Sequence, residues 1–102
     1  MKIVAKWLSA TSPKAWEATG TAFGLFACSA IVSQIYQEWR SSLPSSLSTY
    51  YLVGFAIIYL YWFAYGVRFG HVGVWLPNMV AALLQIVLAA MILWQRVGNT
   101  TL

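Results

Sequence analysis

Charged side chains are scarce in this sequence. Only 8% of its 102 residues are Asp, Glu, Lys or Arg, whereas soluble domains carry about 25%. Hydrophobic residues make up 61% of the chain, which is more apolar surface than a protein of this size can bury by itself. The sequence therefore predicts a membrane protein, with lipid as the solvent for much of its surface.

Cysteine and acidic residues are almost absent, which excludes several kinds of site. Cys28 is the one cysteine, so it can form neither an intrachain disulfide nor a cysteine metal cluster, and we interpret it as a small apolar filler. The sequence shows no Ser/His/Asp set, metal-ligand spacing or phosphate loop, so we expect no enzyme and no cofactor. The net charge of +4 comes from scattered cations rather than a basic stripe, so we expect no nucleic-acid partner.

Three long apolar runs organise the chain. They cover about residues 18–36, 49–67 and 74–94, and segments of about 20 residues are long enough to cross a bilayer. Residues 1–15 mix lysines with a short apolar run that Lys6 interrupts, which favours an interfacial tail over a signal peptide. Thr11, Ser12 and Pro13 then offer a helix start. We predict an all-α membrane protein whose 102 residues form a single three-helix unit.

Small residues form a possible packing face on the first run. Gly20 and Gly24 make a GxxxG pair, and Ala27, Cys28 and Ile31 continue it. Small residues let helix backbones approach closely in lipid, where packing drives association. This pattern indicates a helix–helix contact.

A tryptophan and an asparagine fall at the same predicted depth in the second and third runs. Trp62 lies eight residues before Gly70 and Asn78 eight residues after it. If the turn of a helical hairpin is at Gly70, both side chains lie about 12 Å from it. That depth is a little short of the middle of a hydrocarbon core about 30 Å thick.

The chemistry of this pair suits a neutral, polyhydroxylated solute. An indole stacks on the CH-rich face of a sugar, and a carboxamide both donates to and accepts from hydroxyls. Simpler roles stay open, namely interhelical hydrogen bonding for Asn78 and lipid-facing packing for Trp62. No Asp, Glu, Lys, Arg or His lies near the middle of a predicted span, although proton-coupled carriers and ion channels normally keep such a group there. Three helices cannot enclose an aqueous path, so a parallel two-fold dimer of six helices is expected.

Several residues together resemble a known family. They are Trp62-Phe63-Ala64-Tyr65-Gly66, the asparagine sixteen residues after the tryptophan, and Ser46-Leu47-Ser48 before the second run. Over about residues 17–95 the chain resembles the SemiSWEET sugar transporters, bacterial three-helix members of the PQ-loop superfamily.

The resemblance implies a homodimer in the cell membrane that carries a mono- or disaccharide down its gradient by alternating access. Trp62 and Asn78 of both protomers would hold the sugar, and Tyr65 with Arg68 would form an outer gate. It also implies an external amino terminus. The positive charges favour the opposite orientation, because four of the six cations share the amino-terminal side.

One signature of the family is altered. Its Pro-Gln pair, which lets the first helix hinge, would fall at positions 33 and 34, where this chain has Ser33-Gln34. A serine keeps the backbone N–H, but its hydroxyl can bend a helix by bonding to the carbonyl four residues back, here Ser29. Ser29 is also a candidate to line the pocket.

Two other functions stay open. A small multidrug-type cation exporter would need a membrane-embedded carboxylate, for which Glu17 is the one candidate, and such exporters have four spans. A non-transport small membrane protein, such as an accessory subunit or a holin, is the third possibility.

Overall fold

The structure is a computed structural model and describes residues 1–41 and 45–100. It contains four helices, α1 (Lys2–Ser9), α2 (Pro13–Arg40), α3 (Thr49–Phe69) and α4 (Val72–Thr100), and the described residues contain no strand. Three of them, α2, α3 and α4, are long and apolar enough to cross a membrane. The prediction of an all-α chain with three helices long and apolar enough to cross a membrane is thus confirmed. Pro44, part of the loop expected before the second span, lies outside the described residues.

Side-chain caps set the starts of α2 and α3. Ser12 accepts a hydrogen bond from the backbone N–H of Lys14, and Pro13 occupies the first helical position, where its missing N–H costs nothing. Ser48 accepts from the N–H of Tyr51 at 3.0 Å. Both starts are therefore determined locally, by a serine that satisfies a backbone donor of the first turn.

The turn between α3 and α4 is shorter than the sequence indicated. Gly70 adopts a left-handed conformation with φ 72°, and the N–H of His71 donates to the carbonyl of Gly66 at 2.8 Å. The left-handed Gly70 and this hydrogen bond are the features of a Schellman cap, for which glycine is the usual residue. Arg68 ends up inside α3 and Gly73 inside α4, so the connection is only two residues long.

Helix α4 lies between the other two spans. It packs against both α2 and α3, whereas the α2 and α3 backbones do not approach each other within the described part of the chain. The core lies along α4, where Ala81, Leu88 and Ile92 are buried against Cys28 and Ile31 of α2 and Leu52 of α3. Because α4 separates them, α2 and α3 form the two walls of a groove whose floor is α4.

Only part of the predicted small-residue face makes a close helix–helix contact. A Cβ added at Gly24 would lie 2.4 Å from the Cβ of Pro77, and the thiol of Cys28 donates to the Pro77 carbonyl. A Cβ at Gly20 would meet nothing within 4 Å, and Ala27 is exposed. The pattern does mark a helix contact, but Gly24 and Cys28 make it with α4 of the same chain, and Gly20 takes no part.

The predicted interfacial tail contains a short helix that sequence reasoning did not identify. Lys2 and Lys6 share one face of α1, while Ile3, Val4, Trp7 and Leu8 share the other. All eight residues are exposed, and α1 packs against no other helix of the described chain. Two separate faces, one basic and one apolar, are typical of a helix lying at a membrane surface.

Candidate functional site

The hairpin places Trp62 and Asn78 as their spacing predicted. Helix α3 ends at Phe69 and α4 begins at Val72, so the two residues lie at matching distances from the turn on neighbouring helices. No hydrogen bond joins the two side chains among the described residues. The two side chains therefore lie at the same depth, and neither uses its polar group to bind the other.

Aromatic neighbours hold the indole of Trp62. Its ring centroid lies 5.3 Å from that of Tyr61 and 5.2 Å from that of Tyr65, both in edge-on arrangements, which aromatic pairs favour. The side chain remains 42% exposed. An indole that contacts two aromatic rings and stays open on part of its surface can receive a flat apolar face.

One of the two polar atoms of the Asn78 amide has a hydrogen-bond partner in its own helix. Its Nδ2 donates to the carbonyl of Val74 at 2.7 Å, and the residue is half-buried. Within the described residues its Oδ1 accepts no hydrogen bond. Asn78 therefore does not act as a hydrogen-bonded link between helices within this chain, and its oxygen is available as an acceptor.

The predicted gate residues lie near the turn, but they do not bond to each other. The Tyr65 ring contacts the rings of both Trp62 and Phe69, and its centroid lies 4.8 Å from that of Phe69. The Arg68 guanidinium carbon lies 5.0 Å from the centre of the Phe69 ring, within range of a cation–π contact. Tyr65 thus extends the aromatic surface of Trp62 towards the turn of the hairpin. Arg68 and Tyr65 both contact the Phe69 ring, which connects the two gate residues.

The predicted hinge of α2 is helical in this structure. Helix α2 continues without interruption through Ser33, and no hydrogen bond joins the Ser33 hydroxyl to Ser29 among the described residues. The Ser29 hydroxyl donates instead to the carbonyl of Phe26. At about 100° per residue, Ser29 lies about 140° around the helix from Gln34, so the two residues do not share a face.

Gln34 belongs to a polar cleft that sequence reasoning missed. The cleft has a volume of about 250 Å³ and lies between α2 and α3 over α4. Its lining residues come from all three spans: Ala27, Ala30, Ile31, Gln34, Tyr51, Tyr59, Gln85 and Leu88. The two tyrosines are eight residues apart, and this spacing on one side of α3 is the signal that could have revealed the cleft.

A buried carboxylate lies beside this cleft. Glu38, near the carboxyl end of α2, is only 8% exposed. Its Oε1 accepts hydrogen bonds from Gln34 Nε2 and from the hydroxyl of Ser45, both at 3.0 Å. Glu38 thus ties a residue of the cleft to the segment that leads into α3.

The other carboxylate caps a helix. Glu17 Oε1 accepts from the backbone N–H of Gly73 at 2.6 Å, one of the donors that the first turn of α4 leaves unpaired. A negative charge at a helix amino terminus is also favoured by the helix dipole. Glu17 therefore fastens the start of α2 to the start of α4.

Comparison with known proteins does not identify a family. No family model matches the chain, and no curated protein or solved structure matches it significantly. The functional argument therefore depends on the side chains and their placement.

Proposed function

We propose that this chain is a facilitative sugar transporter that works by alternating access as a parallel homodimer. Trp62 and Asn78 of both protomers would hold the sugar on the dimer axis, and Tyr65 and Arg68 would form the outer gate. The observation that carries the proposal is the hairpin, which brings a partly open indole and an available amide oxygen to the same depth of a membrane span.

The chemistry of the pair favours a neutral solute. The Trp62 ring offers a surface for stacking, and the Asn78 amide offers a polar group at the same level. Such a pair recognises a molecule with one CH-rich face and several hydroxyls, which describes a mono- or disaccharide. The resemblance to SemiSWEETs in the residues around Trp62 supports the same substrate class, with an external amino terminus in the cell membrane.

The cation exporter is the weaker alternative. It requires a carboxylate that is available to a cation and a proton inside the membrane. The Glu17 carboxylate instead accepts a hydrogen bond from Gly73 at the start of α4. The other carboxylate, Glu38, accepts hydrogen bonds from Gln34 and Ser45 near the opposite end of α2. Both carboxylates that an exporter could use therefore already have structural partners.

The experiment is uptake of labelled glucose and sucrose by proteoliposomes containing Trp62→Ala or Asn78→Ala. Stacking contributes on the order of 1 kcal/mol per ring and a hydrogen bond about as much. Loss of both copies of either residue should therefore cost about 2 kcal/mol and lower affinity about thirtyfold. Leu60→Ala and Leu83→Ala are matched controls, because both leucines are exposed on other faces of α3 and α4.

The outcome separates the proposal from its alternatives. We expect no measurable uptake with either site variant, near-normal uptake with either control, and the same dimer content in all four. Normal sugar binding by Asn78→Ala would return that residue to a structural role. Absence of sugar uptake by the unmodified protein would favour the non-transport alternative.

A further inference from the structure

The cleft between α2 and α3 carries more polar groups than its place in the fold requires. Gln34, Tyr51, Tyr59 and Gln85 all line it, and all four belong to helices long and apolar enough to span a membrane. Polar groups at membrane depth are unfavourable unless they are paired or line a water-filled cavity. Four such residues around one small space favour a polar occupant.

The hydrogen bonds of the two glutamines leave their oxygens unused. Gln34 donates through Nε2 to Glu38, and Gln85 donates through Nε2 to the carbonyl of Leu52 at 3.3 Å. Among the described residues, neither side-chain oxygen accepts a hydrogen bond. A hydrogen bond therefore fixes the orientation of each amide, and the side-chain oxygen of each remains able to accept another.

The two tyrosines add hydroxyl groups. The rings of Tyr51 and Tyr59 both pack against Phe55, at 5.0 Å and 5.9 Å between centroids. Within the described chain neither hydroxyl has a hydrogen-bond partner. No fully buried side-chain oxygen or nitrogen of a non-exposed residue in the described chain lacks a partner. The unused oxygens of Gln34, Tyr59 and Gln85 are therefore not fully buried, and all three residues line the cleft.

We infer that this cleft is a second sugar site, one in each protomer, which takes a monosaccharide; this rests on the proposed function. Two amide acceptors and two hydroxyls match a solute that presents several hydroxyl groups. The volume of about 250 Å³ lies below the roughly 300–1,000 Å³ of sites for drug-sized ligands. The cleft therefore fits a single sugar ring better than a disaccharide.

The position of the cleft gives the site a role in transport. Gln85 lies seven residues beyond Asn78 on the same face of α4, which is about 10 Å further from the hairpin turn. A sugar leaving Trp62 and Asn78 along that face meets the cleft next. The second site replaces water on the hydroxyls of the sugar while it crosses the other half of the membrane.

Removal of single hydroxyls tests this site without disturbing the packing. In proteoliposomes, Tyr51→Phe and Tyr59→Phe keep both rings against Phe55 and remove only the groups that contact the sugar. Loss of one net hydrogen bond should raise the KM for glucose about three- to tenfold. Tyr50→Phe is the matched control, because Tyr50 is 90% exposed. Equal KM values for all three variants would overturn the inference.

A second measurement reports on the cleft even if the protein carries no sugar. Cys28 is buried, so a cysteine introduced elsewhere supplies the reactive thiol. A charged thiol reagent should modify Ala30→Cys, which lines the cleft, and not Val32→Cys, which is exposed on another face of α2. Glucose should slow the modification of Ala30→Cys several-fold, and sucrose should slow it less.

The outcomes distinguish the two proposals. Protection by glucose together with raised KM values supports the second site. Glucose uptake that depends on Trp62, combined with an unreactive or unprotected Ala30→Cys, overturns the second site alone and indicates that lipid or the partner protomer covers the cleft. Protection by glucose without any uptake retains a sugar site in the cleft and overturns the proposed transport.

Discussion

At the scale of single residues, two glycines determine how closely the spans pack. A Cβ at Gly66 would lie 2.4 Å from the backbone nitrogen of Trp75, and a Cβ at Gly24 would lie 2.4 Å from the ring of Pro77. Backbone and proline atoms cannot rotate away as a flexible side chain can. Gly66 therefore sets the approach of α3 to α4, and Gly24 sets the approach of α2.

We predict that Gly66→Ala destabilises the protein, whereas Gly20→Ala does not. Overpacking of this kind costs about 1–3 kcal/mol, while a glycine-to-alanine change at an open helical site gains up to about 1 kcal/mol. Thermal unfolding in detergent measures both. If Gly20→Ala proves as damaging as Gly66→Ala, Gly20 packs against a second protomer, because an added Cβ there meets nothing within 4 Å in the described part of its own chain.

At the scale of elements, α2 has a continuous backbone where the resembling family has a hinge. It is helical from Pro13 to Arg40, with Ser33 exposed in its last third. Its two ends are fastened, by Glu17 to α4 and by Glu38 to Ser45. A bend between these ends would move the wall of the groove that carries Gln34.

We predict that Ser33→Pro is tolerated and speeds sugar transport, because it restores that hinge. A proline removes one helix hydrogen bond and costs about 3 kcal/mol in an ordinary helix interior. Ser33 is exposed, so the ring itself meets no neighbouring span. The measurements are the initial rate of glucose uptake and the melting temperature of the variant. A protein that fails to fold would show that α2 has to remain straight.

The same scale distinguishes α1 from the spans. It is eight residues long, exposed on all sides and joined to α2 through Ala10, Thr11 and Ser12. The Trp16 indole donates to the Thr11 hydroxyl, which in turn donates to the Leu8 carbonyl. Hydrogen bonds thus order the junction, and they hold α1 at the end of α2 where a membrane surface would lie.

At the scale of the whole molecule, one chain cannot enclose a path for a sugar. Its groove has two walls and a floor, and large apolar side chains of α2 and α3 remain exposed. We therefore predict a parallel homodimer whose pathway follows the two-fold axis. Mass measurement in detergent and crosslinking across the axis test this prediction. A strict monomer that still transports sugar would contradict it.

We also predict transport without coupling to protons or sodium. The two carboxylates of the chain lie near span ends, and each accepts hydrogen bonds, Glu17 from Gly73 and Glu38 from Gln34 and Ser45. Neither lies in the middle of a span, where a coupling ion would have to be carried. Glucose uptake should reach equilibrium at the same level with a pH gradient imposed and with it collapsed. Accumulation that follows the gradient would show that a carboxylate takes part.

Local patterns in the sequence were sufficient to predict the three long helices, though not α1, and the shared depth of Trp62 and Asn78. Hydropathy located the three spans, Ser12 with Pro13 marked the start of α2, and Gly70 marked the turn. The matching depth of Trp62 and Asn78 followed from counting residues to that turn. These features could be predicted because hydropathy, capping and helix rise depend on neighbouring residues.

The tertiary structure decided which faces meet, and no local pattern contains that information. With α4 between α2 and α3, Gly24 is buried against Pro77 while Gly20 is left open. The same arrangement buries Glu38 and brings Gln34 and Gln85 around one cleft. The physical reason is that burial depends on which helix packs between the other two, and residues about fifty positions apart in the sequence determine that choice.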